Sequence, residues 1–165
     1  MKAKWVLLLG SLWVAGCSSP TEPAAPDSAP TWEASLGIVD AVGPGSVLVK
    51  PTGGEAFQEW DGKKPIPGGS SVKTPINART RIAVPEGGTL TLDAATEVEL
   101  THAHSFKIVR GQVVVAYPDN AKHAPVTVVL PHGKAVLNGT KVSFNVEESH
   151  STATVASGSI EATPA

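Results

Sequence analysis

The 165-residue chain contains one cysteine, Cys17, and that scarcity excludes several architectures at once. An intrachain disulfide needs two thiols, a structural zinc site needs several ligands, and a catalytic thiol needs a base held close by. Aromatic residues are also few, at 5 %, so Val, Ile and Leu must supply the core. Charged residues make up 17 % with a formal balance of −2, and no run of like charges exists. Nucleic acid and anionic lipid both reward basic clusters, so neither is the expected partner. There is no Gly-x-Ser-x-Gly elbow and no phosphate-cradling loop followed by Lys-Ser/Thr. The acidic pairs Glu97/Glu99 and Glu147/Glu148 sit in patterned or turn-flanking stretches, where solvation is expected. A long apolar run is missing too. The opening stretch Trp5–Ala15 has 11 residues, against the roughly 20 needed to span a bilayer as a helix.

That short stretch follows two cations, Lys2 and Lys4, and small residues come after it. These are the marks of a secretory signal, here residues 1–16. Directly behind it, Val14-Ala15-Gly16-Cys17 resembles the lipobox of bacterial lipoproteins. The resemblance implies cleavage before Cys17, diacylation of its thiol and membrane attachment through that lipid. Two or three acyl chains hold a protein almost permanently, where one holds it only marginally. Ser18 and Ser19 replace the aspartate that retains such proteins in an inner membrane, so the resemblance implies an outer-membrane location in a two-membrane envelope. Residues 17–33 then form a linker carrying Pro20, Pro23, Pro26 and Pro30. Three of those prolines recur every third residue, the period of polyproline II. At roughly 3.1 Å per residue, such a tether reaches up to about 40 Å.

Cleavage before Cys17 would leave 149 residues, with 11 basic against 15 acidic side chains, a balance of −4. Residues 34–163 read as one all-β domain of short antiparallel strands, a sandwich or β-roll. The runs 46–50, 89–100, 106–117, 126–130 and 152–162 are β-branched and alternate in polarity, and turn residues bound them. No stretch after residue 31 shows a capped helical period. In residues 134–146, Asn138-Gly139-Thr140 separates two alternating runs, and Asn-Gly between such runs predicts a type I′ hairpin.

The order of these pieces resembles the FecR family, named for the ferric-citrate transport regulator. Residues 68–92, "GGSSVKTPINARTRIAVPEGGTLTL", match its glycine-bounded threonine and alternating strand. "FKIVRGQVVVAY" around Gly111 and "TATVASGSIEA" around Gly158 match its strand-Gly-strand elements. Between them, Gly139, Thr140 and Phe144 match its Gly-Thr turn and following aromatic. The resemblance spans roughly residues 36 to 162. It implies an extracytoplasmic interaction or sensing module with no catalytic residues. Sigma-factor regulators of the family carry a cytoplasmic helical segment and a transmembrane helix before this domain. This sequence shows neither, so direct sigma-factor control is not implied.

Lys73, Arg79 and Arg81 share strand parity opposite Val72, Ile82 and Val84, which reads as the solvated face of an amphipathic strand, with a patch for an anionic polymer as the alternative. For a protein contact this basic row is the first candidate. Trp60, with Phe57 in "EAFQEWDG", is the exposed aromatic candidate. The two differ in strand parity, which favours a protein over a sugar as ligand. His102 and His104 are half of a zinc site and also fit a turn, so no metal and no cofactor are expected. His123, His132 and His150 neighbour turn residues and read as solvated. The expected function is that of a non-catalytic, lipid-anchored envelope protein binding another envelope protein. The alternative is a lipoprotein that binds cell-wall or other polysaccharide.

Overall fold

A computed structural model describes residues 37–42, 47–60, 64–118 and 123–165 of the chain. The signal stretch, Cys17 and the proline tether lie outside these residues. Among the described residues no helix is long and apolar enough to cross a membrane.

The described residues build an all-β fold of eleven strands in a single continuous sheet. They are β1 (Gly37–Val42), β2 (Leu48–Lys50), β3 (Gln58–Glu59), β4 (Ser71–Lys73), β5 (Arg79–Val84) and β6 (Gly88–Leu92). β7 (Glu97–His102), β8 (Ser105–Ala116), β9 (Val126–Leu130), β10 (Gly133–Val146) and β11 (Ser151–Pro164) follow. The sheet folds back on itself, and alternation explains why. In β5 and β6 every second side chain is buried, and β7, β8 and β9 keep that alternation over most of their length. Period-two burial gives one face to the core and the other to water. The buried set from both layers, including Ile82, Leu90, Leu100, Phe106, Ile108, Val128 and Phe144, forms one cluster.

Three long strands carry the sheet from one layer to the other, and each turns at a glycine. β8 pairs through its first half with β7 and, in parallel, with β9. Beyond Gly111 (φ 88) it pairs with β6 and β10 instead. β10 pairs with β9 over Gly133–Leu137, and with β8 over Lys141–Val146, with Gly139 (φ 71) between. β11 follows β10 along its length and has Gly158 (φ 87) at the matching place. Positive φ is open to glycine without the steric penalty other residues meet there.

Two sequence expectations change here. Asn138-Gly139-Thr140 is no hairpin. The residues before and after it pair with β11, not with each other, and Gly139 is the extra residue of a bulge between Asn138 and Thr140. A type I′ turn needs positive φ at both central residues, and Asn138 does not have it. The run 89–100 is not one strand either. It breaks between β6 and β7 at a turn where Ala95 adopts φ 52 and the Asp93 carboxylate accepts the Ala94 N–H at 2.8 Å.

Candidate interaction surface

The outer face of β2, β4, β7 and the first half of β8 collects charge in a regular way. Inward, Val49, Val72, Val98, Leu100, Phe106 and Ile108 are buried. The intervening positions face out. Register places Lys73 opposite Glu97 and Glu97 opposite Arg110, with Glu99 opposite Lys107 in the next row. Glu97 and Arg110 approach to 3.4 Å, and Glu99 and Lys107 to 3.2 Å. Such exposed pairs contribute roughly 0–1 kcal/mol each, so they order the face more than they stabilise the fold.

At the β2 end of this face two lysines meet an aromatic ring. The ammonium groups of Lys50 and Lys73 lie 5.5 and 5.7 Å from the Phe57 ring centre. Two cations share one ring there, an arrangement worth about 0.5–1 kcal/mol per contact at exposed sites. Phe57 is half-buried, with both ammonium groups over its ring. Lys50 went unnoticed in the sequence because nothing local ties it to Lys73; only the β2–β4 register does.

Trp60 is committed elsewhere. Its ring packs against the core, and its indole N–H donates to the Lys64 carbonyl at 3.0 Å within its own loop.

The basic row of Lys73, Arg79 and Arg81 does not exist as a row. Lys73 ends β4, whereas Arg79 and Arg81 lie on β5, which pairs with β1 and β6. Pro75 begins the turn between β4 and β5, and the Ala78 N–H donates back to its carbonyl at 3.3 Å. Arg79 is engaged by Asp93 through three hydrogen bonds of 3.0 to 3.2 Å. The Ala94 N–H holds the Asp93 carboxyl below its ordinary range; burial opposes this, and the hydrogen bond and charge of Arg79 add smaller lowering effects. Arg81 is exposed on β5, opposite Thr91.

The histidines fall at turns. His102 is exposed at the end of β7, and His104 in the following turn reaches Glu86 at 3.7 Å. Among the described residues, no group of three or more His, Cys, Asp or Glu side chains is placed to hold a metal ion. His123 is not simply solvated: its ring stacks on Tyr117 at 4.2 Å. Tyr117 is 5 % exposed, and its hydroxyl has no hydrogen-bond partner. Burial, then the nearby Glu86 carboxylate, pushes its phenol up to about 12. His132 bridges two turns, with Nδ1 2.9 Å from Ser151 Oγ and Nε2 3.3 Å from the Glu148 carbonyl.

A protein-family model described as FecR protein matches residues 70–161, more than half of the chain. The match runs from the start of β4 nearly to the end of β11, and so includes all three glycine bends. No curated protein matches the sequence.

Proposed function

Because the chain belongs to the FecR family, we propose that it is a non-catalytic envelope module that binds another envelope protein through the outer face of β2, β4 and β7. The family is one of non-enzymatic signalling and regulatory proteins associated with the envelope. The observation that carries the reading is the Phe57 ring with Lys50 and Lys73 beside it. A half-buried aromatic with two ammonium groups over its ring suits a partner surface that brings carboxylates to a small apolar contact, since aromatic anchors and complementary charge are what interfaces concentrate. The lipid on Cys17 and the proline tether give the module a membrane attachment and reach. The polysaccharide reading has less support, because the Trp60 indole N–H is held by the Lys64 carbonyl and part of the ring packs on the core.

Photocrosslinking in intact cells tests this. A photoreactive phenylalanine analogue at position 57 should give a discrete protein adduct. The same group at Thr91, on the outer side of the other layer, should not. Equal adducts at both positions, or none at position 57, would remove this face from consideration.

A further inference from the structure

β11 is an open edge: among the described residues it pairs with β10 alone. It runs for 14 residues and carries one charge, Glu161, with a proline only at its last position. Soluble proteins usually blunt an edge of that length with charges, prolines or short strands. Its inward side continues the core rows. Ala153 lies opposite Phe144, Val155 opposite Val142, Ile160 opposite Leu137 and Ala162 opposite Ala135. Those four partners are buried, yet Ala153, Val155 and Ala162 are exposed, Val155 by 39 %. Beside them opens a cavity of about 380 Å³, whose walls include Leu130, Ala135, Ile160 and Ala162.

The bend restricts what can cover this edge. Ala156 is an extra residue on β11, so the inward positions are odd-numbered before the bend and even-numbered after it. A strand that pairs along all of β11 must shift phase at the same place. On the closed side β10 does so, with Gly139 beside Gly158. The chain contains a second strand that fits, which is β11 itself. When two copies run antiparallel about a two-fold axis between Ser157 and Gly158, Val155 meets Ile160 and Ala153 meets Ala162 on the inward side. On the outward side, Thr154 meets Glu161 and Thr152 meets Thr163. Apolar residues meet apolar ones, and the single carboxylate never faces its own copy. A one-residue slip would set inward against outward side chains throughout.

We infer that a second copy of this chain occupies the β11 edge, forming a two-fold dimer in which the sheet continues from one protomer into the other. The contact is isologous, as closed dimers require, and adds main-chain hydrogen bonds along an exposed edge. It is separate from the Phe57 face and does not depend on it.

Sedimentation of the full chain in mild detergent tests this, with Cys17→Ser in every variant so that neither lipid nor disulfide links copies. The wild-type strand should give a reversible dimer. Thr154→Glu opposes two pairs of carboxylates per dimer and should weaken association by about three- to thirty-fold. Thr154→Lys should retain it. The swap Thr154→Glu with Glu161→Lys should restore it. Both side chains are exposed in the monomer, so the circular dichroism melt should not move. A chain that stays monomeric at roughly 0.1 mM would overturn the inference and leave the edge to another protein's strand. So would a dimer indifferent to Thr154→Glu, or one the swap fails to restore.

Discussion

Gly111 packs directly against Thr96: a Cβ built on this glycine would stand 2.5 Å from Thr96 Oγ1 and 2.7 Å from its Cα. The same hydroxyl accepts the Gln112 N–H at 3.0 Å and donates to the Gln112 carbonyl at 3.1 Å. The strand that changes layers is thus pinned, at its bend, by a buried threonine from the neighbouring turn.

Gly111→Ala should therefore cost more than Gly139→Ala. Both residues have positive φ, at roughly 1 kcal/mol or more for a residue with a side chain. Only Gly111 has atoms in the way, since a Cβ at Gly139 meets nothing within 4 Å. Chemical denaturation should show a loss of about 1 kcal/mol at Gly139 and about 3 kcal/mol or more at Gly111. Equal losses would mean that Thr96 yields freely.

Alkaline stability should report Tyr117. Its folded value of about 12 stands above the ordinary 10, so burial favours the neutral phenol. That contribution is present below pH 10 and is lost as pH rises from 10 through about 12. Two pH units correspond to about 2–3 kcal/mol. Tyr117→Phe should flatten this part of the stability curve, and an unchanged decline would assign it to other groups.

Arg79→Gln should change stability little, by about 0.5 kcal/mol or less, because the Arg79–Asp93 pair is exposed. Asp93 has a lowered value, so its contribution is present above the ordinary carboxylate range and is lost as pH falls below it. An acid titration of the two proteins, followed by circular dichroism, checks both the size and the direction.

Cys17→Ala should yield unprocessed or mislocalised protein, and mass spectrometry of the native amino terminus should find acyl chains on Cys17. A mature terminus elsewhere, with a free thiol, contradicts the lipoprotein reading.

The all-β character was legible because burial with period two leaves its trace in most of the core strands, as in Val142, Phe144 and Val146 of β10. The glycines at 111, 139 and 158 were legible as special positions, but their roles were not. A hairpin and a layer-changing bend both ask for positive φ. The choice between them depends on which distant strand lies alongside, and at Gly139 that strand is β11. The candidate surface was legible only in part. Lys73 was named for a row that Pro75 breaks, and its true neighbours, Lys50 and Phe57, reach it through the pairing of β2 with β4. Trp60 looked exposed because its hydrogen bond to Lys64 and its packing on the core are tertiary events.

The Lys50–Phe57–Lys73 corner is the proposed contact for a protein partner. Its most direct test is the affinity of the crosslinked partner, once purified, for the wild-type domain and for Lys50→Glu with Lys73→Glu. Affinity should fall by about ten-fold at low salt, a difference that narrows as salt rises, with the melting temperature within about 2 °C of wild type. Equal affinity at low salt, with the fold intact, would contradict it.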